Sequence, residues 1–204
     1  MLALASLTVL KVGALQICGT GSCRALPTDI ALLSALHTLR SPALDSFFVI
    51  VTWAGSLYLL LPVATVFALL DKRDGSTLQR WFVPLALCGT WLAVHSAKAL
   101  VARPRPDLFD ALITVPADGS FPSAHAAQIT TFACAWLLRP GHRARAPVFA
   151  ALLMTILTVA LSRLYLQVHY LSDVLYGMVA SVLWVTALYC LRVKDKANPR
   201  GAPI

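Results

Sequence analysis

Glutamate is absent from this sequence: all nine acidic residues are aspartate. Charge of either sign is scarce, at 13% of 204 residues where soluble domains carry about a quarter. Set against 58% hydrophobic residues and a mean hydropathy of +0.74, that scarcity excludes an ordinary soluble domain and points to a helical membrane protein. Because acids are rarer than bases, 17 Lys and Arg leave a formal charge of +8. No basic face accompanies the excess, since the cations sit between apolar runs. Nucleic acid is therefore not an expected partner, and the charge reads as a device that orients the chain in a bilayer. Internal repeats and long polar linkers are also missing, so residues 1–204 read as one domain. Nor does any group of Asp, His and Cys show metal-ligand spacing. Asp107, Asp110 and Asp118 share a loop but fit no ligand set and read as solvated loop charges, so no metal and no cofactor is expected.

What the sequence has in quantity is apolar runs. Residues 47–70, 81–100, 123–138, 148–166 and 171–191 approach the ~20 residues that cross a bilayer. A sixth run, residues 1–18, is short and interrupted by Lys11. It lacks the basic leader of a signal peptide and is taken as a further span, or as the end of one that begins upstream. Between these runs Pro27-Thr28-Asp29 resembles a helix start, and Leu32, Leu36 and Leu39 recur at helical spacing against Ser34, His37 and Thr38, which suits a helix lying along the interface. The expected fold is all-α: a polytopic membrane bundle of about six transmembrane helices with one interfacial helix.

Alternating spans place residues 71–80, 139–145 and 192–200 on one side, and these hold ten Lys and Arg. By the positive-inside rule that side is cytoplasmic, with a basic tail over residues 192–204, and the loops 101–122 and 165–170 face outward. Three of five cysteines, Cys88, Cys134 and Cys190, lie within apolar runs and carry no expected chemistry. Cys18 and Cys23 flank a four-residue segment, so a disulfide is sterically conceivable if that loop faces an oxidising compartment; spacing alone does not establish it.

The unusual residues collect on the outer side. Lys98 stands near the end of an apolar helix, where a charge must snorkel or find a partner. Arg105 follows seven positions later, about 10 Å along a continued helix and on the same face, with Pro104 and Pro106 able to turn it inward. Alone, such a pair also suits an interfacial anchor. Ser123, with Ala124 and His125, opens the next apolar helix as its expected N-cap; exposed amides there can hold an anion, or simply start a helix. Ser162-Arg163 is followed by His169 and Asp173, four apart and so on one helical face. The carboxylate can accept from Nδ1 and leave Nε2 free to attack, or the pair can tether a helix. Three unrelated structural causes have no reason to converge on one membrane face. Together, three cations, a helix N-terminus, two histidines and an orienting carboxylate suit a phosphoryl group, whose transfer depends on positioning and charge stabilisation.

These residues resemble the signature of the type 2 phosphatidic acid phosphatase family: Lys-x6-Arg-Pro at Lys98 to Pro106, Pro-Ser-Gly-His at Pro122 to His125 with Ala124 in place of Gly, and Ser-Arg-x5-His-x3-Asp at Ser162 to Asp173. The resemblance implies a six-helix membrane core. Lys98, Arg105, Ser123, Ala124 and Arg163 would form the phosphate site, His169 would be the nucleophile with Asp173 behind it, and His125 would be the acid that protonates the leaving oxygen. Ala124 is the one departure, and its methyl group matters only if that position needs positive φ. The family also resembles soluble vanadium haloperoxidases, which the lipid-length apolar runs argue against. His95 is either a partner of Lys98 or a helix-packing residue.

The expected activity is hydrolysis of a lipid phosphomonoester or polyprenyl diphosphate, with the bilayer and the lipid as partners and the oligomeric state left open. Undecaprenyl diphosphate, phosphatidic acid, phosphatidylglycerol phosphate and lipid A phosphates all fit. The alternative is a catalytically silent lipid-phosphate binder or transporter that kept the cations, against which the two histidines and Asp173 speak. Short loops and the lack of glycosylation sequons in outer segments suggest a bacterial inner membrane with a periplasmic site.

Overall fold

The computed structural model describes residues 2–19, 22–71, 77–139 and 146–197, and these form helices and irregular connections without a strand. In chain order the helices are α1 (Leu2–Ile17), α2 (Pro27–Thr38), α3 (Pro42–Val51), a 3-10 turn (Thr52–Gly55), α4 (Leu57–Leu70), α5 (Thr77–Arg80), α6 (Phe82–Val101), α7 (Ala124–Leu138), α8 (Ala146–Tyr165) and α9 (Leu171–Ala197). Of the basic stretches expected on the cytoplasmic side, residues 72–76, 140–145 and 198–204 lie outside the described residues. Helices α6 and α8, and α9 over Leu171–Val193, are long and apolar enough to span a bilayer. Helices α1 and α7, which the apolar runs also suggested as spans, are shorter, at 16 and 15 residues.

The run at 47–70 is not one straight helix. The segment Pro42–Gly55 meets Leu57–Leu70 at 46°, and the pair passes as a span only if taken together. The break is written locally: Ser56 caps α4, its hydroxyl accepting from the Tyr58 amide at 3.3 Å. Gly55 sits so close to its neighbours that a Cβ there would lie 2.6 Å from Val159 and 3.0 Å from the His125 carbonyl oxygen.

Helix α7 is the hub, packed by α4, α6, α8, α9 and the 3-10 turn. Six of its eight buried side chains are Ala or Thr (Ala126, Ala127, Thr130, Thr131, Ala133 and Ala135), which lets neighbouring backbones approach where lipid offers no hydrophobic drive. Thr131 shares a 2.7 Å hydrogen bond with Thr90 of α6. On the periphery α1 lies along α9, tied by the Ser6 hydroxyl donating to the Ala180 carbonyl at 2.8 Å. Helix α2 packs on α8 and α9 through Leu33 and Leu36, whereas Leu39, just beyond its end, is exposed. The apolar face is thus centred one position away from the Leu32-Leu36-Leu39 stripe.

Candidate active site

Helix α6 does not continue to Arg105. It ends at Val101, with Ala102 in the left-handed region at φ 46° and its amide still donating to the Lys98 carbonyl at 2.9 Å. That turn, followed by two prolines, sends Arg103 and Arg105 to different places. Arg105 Nη1 donates to the Val168 carbonyl at 2.9 Å and stands 3.2 Å from His169 Nε2, while Nη2 reaches Asp118 Oδ1 at 2.6 Å. Lys98 reaches the other oxygen of Asp118 at 3.2 Å and donates to the Gly119 carbonyl. Lys98 and Arg105 therefore do meet, but through a shared carboxylate and not along one helix. A side chain at Gly119 would be tight, since a Cβ would lie 3.0 Å from the Lys98 carbonyl oxygen and 3.2 Å from Ala102 and that backbone would have to give way.

Asp118 corrects the reading of a solvated loop charge. Its side chain is 37% exposed, yet it pairs with both cations. Partial burial alone would raise its pKa, but the hydrogen bond from Arg105 and the charge of Lys98 outweigh that and hold it below the usual carboxylate value. Asp107 and Asp110 are exposed, as expected.

Arg163, near the end of α8, is buried and donates through Nη1 to the Thr52 hydroxyl at 2.7 Å; its Nε has no protein partner. Thr52 belongs to the break between α3 and α4, so the interruption of that span supplies a ligand to a site cation. The turn from α8 to α9 then places His169. Gln167 adopts φ 60° and donates its side-chain amide to the Leu33 carbonyl at 3.0 Å. The amides of Val168 and His169 both donate to the Arg163 carbonyl at 3.3 Å.

His169 precedes α9 and so does not share a helical face with Asp173, contrary to the simple i, i+4 picture. The two still meet, at 3.5 Å from Nδ1 to Oδ2, because Asp173 sits in the first turn of α9 and accepts from the Tyr170 amide at 2.9 Å. That is half of a capping box, with the carboxylate reaching back over the helix start. Ser120 donates to the same carboxylate and stands 3.4 Å from His169 Nδ1. Buried at 2% exposure, His169 is held neutral: burial, then the charges of Arg163, Arg105 and Lys98, and lastly His125, lower its pKa well below the usual histidine value.

Ser123 is fully buried, but its hydroxyl has no protein partner and makes no cap; its amide donates to the Asp173 carbonyl at 3.0 Å. The expected N-cap hydrogen bond is thus absent, which leaves the hydroxyl free for another acceptor. Ala124 takes up the first helical position of α7 without positive φ; among the described residues other than glycine only Ala102 and Gln167 have it. The Ala-for-Gly departure therefore imposes no backbone strain. His125, partly exposed in the first turn of α7, lies within the field of Arg163, Lys98 and Arg105. His95 packs its ring 4.9 Å from Trp91. Cys18 and Cys23 form a disulfide, which spacing had left open.

Several residues of this site were not singled out from sequence: Arg103, Asp29, Ser120, Thr52 and Gly119. For Arg103 a signal existed, because Arg-Pro-Arg-Pro offers two arginines and an inward turn has to dispose of both. For Thr52, the Gly55-Ser56 pair inside an apolar run marked a helix break.

Residues 79–197 match the model of the PAP2 superfamily. The structure is similar to that of the first transmembrane PAP2 type phosphatidylglycerolphosphate phosphatase from Bacillus subtilis, with a TM-score of 0.75, 21% identity and 98% of each chain covered. It is also similar to Aquifex aeolicus LpxE, with a TM-score of 0.68 and 23% identity over 79% of this chain and 94% of that one. No curated protein matches the sequence. At these identities the likeness to solved structures is one of fold, whereas the family match covers more than half the chain and includes all three motifs from Lys98 to Asp173: this integral membrane protein belongs to the PAP2 superfamily.

Proposed function

We propose that the protein is a lipid phosphatase that hydrolyses a phosphomonoester or polyprenyl diphosphate through a phosphohistidine on His169, without a metal. The observation that carries this reading is the orientation of His169: Nδ1 faces Asp173 and Ser120, while Nε2 faces the cation cluster at Arg105. A neutral imidazole with its proton on Nδ1 accepts at Nε2 from Arg105 Nη1 at 3.2 Å, and once Arg105 turns to the substrate that nitrogen is free where a phosphate held by Lys98, Arg105, Arg163, the Ser123 hydroxyl and the α7 N-terminus at Ala124 would present phosphorus. Attack forms the Nε2–P bond as the P–O bond to the lipid breaks, and His125 gives its proton to the departing oxygen. Water then attacks phosphorus, the P–N bond breaks, His125 takes the water proton, and inorganic phosphate leaves. Asp173 holds the Nδ1 proton throughout and stabilises the charge that develops on the ring. The charge neutralisation that a metal supplies elsewhere comes here from three side-chain cations.

Two observations support a lipid substrate met at an oxidising outer surface. A groove of about 660 Å³ between α1, α6 and α9 is almost wholly apolar, and Val101 and Pro122 place one end of it beside Lys98 and Ser123. The disulfide lies at the same end as the site, since Arg24, next to Cys23, gives its carbonyl to Arg103. A periplasmic site in a bacterial inner membrane fits both, and phosphatidylglycerol phosphate, one of the candidate substrates above, is the class named for the Bacillus subtilis relative.

The test is phosphate release by detergent-solubilised protein from a panel of lipid phosphates and diphosphates, with excess chelator, with and without vanadate, beside His169→Ala. Chelator-resistant, vanadate-sensitive release that disappears in the variant is expected. Vanadate binding without release from any lipid would favour the silent binder.

A further inference from the structure

Behind His169 lies a second layer of charge that the chemistry above does not use. Arg103 is 1% exposed, and its guanidinium donates through Nη1 to Asp173 Oδ1 and the Ser172 hydroxyl at 2.8 Å, and through Nη2 to Asp29 Oδ2 at 3.1 Å and the Arg24 carbonyl at 3.0 Å. Its plane covers the Tyr170 ring, 4.1 Å from the centroid. Asp29 is fully buried and sits at the third position of α2, where it accepts from the Leu26 amide at 3.1 Å. It also accepts from the Ser172 amide at 2.9 Å and the Ser172 hydroxyl at 2.8 Å. Two helix-starting carboxylates, one on α2 and one on α9, thus share one guanidinium.

Resting on the phosphohistidine reading, we infer that Asp29 and Arg103 are positioning residues for the nucleophile: the buried bridge Asp29–Arg103–Asp173 fixes the Asp173 carboxylate and sets how strongly it holds His169. The geometry supports both parts. Asp173 spends one oxygen on Arg103 and turns the other to Ser120, the Tyr170 amide and His169, so its orientation is fully determined. The electrostatics follow from the sharing. A cation bonded only to Asp173 would draw its charge away from the imidazole, and Asp29 takes half of that demand. With Asp29 present, Asp173 keeps the charge that makes His169 a good nucleophile and stabilises the phosphorylated ring.

This differs from mere structural support in a way that kinetics can read. A less strongly held imidazole is both a poorer nucleophile and a better leaving group, so losing the Asp29 charge should move the two half-reactions in opposite directions. The experiment is rapid-quench measurement of phosphoenzyme formation and decay in the full chain in detergent. The labelled substrate is dioctanoyl phosphatidic acid or farnesyl diphosphate, whichever is hydrolysed, and the variants are Asp29→Asn and Ser172→Ala. In Asp29→Asn, formation should slow roughly tenfold, as for one weakened charge-assisted hydrogen bond, while decay quickens and KM stays within about twofold. Ser172→Ala removes one neutral link of the same bridge and should slow formation by about threefold with KM unchanged; it carries the test if Asp29→Asn does not fold. Formation at the wild-type rate in a folded variant, or formation and decay slowed together, would overturn the inference. Absence of any phosphoenzyme in the wild-type protein would instead overturn the phosphohistidine reading on which it rests.

Discussion

Two clusters of like composition are built on cations a few residues apart in sequence and do opposite things. In one, Arg103 is shut between Asp29 and Asp173, all at most 1% exposed, with both terminal nitrogens of the guanidinium bonded twice. In the other, Lys98 and Arg105 share Asp118, whose side chain is 37% exposed. The first cluster is saturated and sealed; the second holds its cations with a carboxylate that water, or a phosphate, can replace. Saturation and the exposure of the carboxylate, not charge type, separate the two, since Lys98 itself is only 3% exposed. A buried pair is costly to break because it leaves a charge uncompensated, whereas an exposed pair is cheap to exchange.

Removing the cation from each cluster should therefore fail in different ways. Arg103→Met strands two buried carboxylates and is expected to cost about 3–5 kcal/mol of stability, visible as loss of monodisperse protein or a steep drop in Tm in detergent. Arg105→Ala should fold normally but lower kcat/KM by about 10²–10³, the effect of deleting one preorganised charge donor, with vanadate inhibition weakened in parallel. If the Arg105 variant unfolds and the Arg103 variant does not, the division between scaffold and site is wrong.

Acid should distinguish His169, which faces Asp173 of the sealed cluster, from the outer cluster on a smaller scale. The folded-state pKa of His169 lies below its unfolded value, so the unfolded chain binds the extra proton first and stability falls as pH drops below about 6.5, by up to about 1.4 kcal/mol per pH unit. Asp118, also lowered on folding, contributes stability that is complete above its unfolded value near 3.8 and is lost only as pH falls through its lower folded value. Between pH 6.5 and 4 the slope of Tm against pH should consequently diminish in His169→Asn and be unchanged in Asp118→Asn. On the proposed mechanism, His169 would need no deprotonation near neutral pH.

The contrast also explains what could be read in advance. Apolar runs gave the helices, because a bilayer demands consecutive hydrophobicity and little else, and loop charges gathered Lys98, Ser123, His125, Arg163, His169 and Asp173 at one end. What escaped depended on local backbone geometry. The left-handed turn at Ala102 divides the roles of Arg103 and Arg105, and nothing in the residue types around it announces which arginine turns inward. Asp29 was legible as a helix start, but its partner on α9 is 143 residues away, and such pairing follows from packing of α2 against α9 and not from periodicity. Ser123 shows the reverse: the residue type suggested a cap, and the fold leaves its hydroxyl unspent.

The smallest expected effect tests whether Lys98 and Arg105 can exchange Asp118 for a phosphate. Asp118 occupies the two cations that a substrate phosphate would take, so binding must displace a carboxylate from Lys98 and Arg105 before the phosphate can replace it. Neutralising it in Asp118→Asn removes that competitor and should tighten inhibition by vanadate or inorganic phosphate by about threefold to fivefold, within the ~1 kcal/mol that a partly exposed pair is worth. The tightening should shrink as salt is raised, since an exposed carboxylate is screened while the sealed Arg103 bridge is not. Weaker inhibition in Asp118→Asn would mean that the carboxylate holds Lys98 and Arg105 in register for phosphate, placing the outer cluster with the scaffold and leaving His169, Arg163 and Ser123 as the open part of the site.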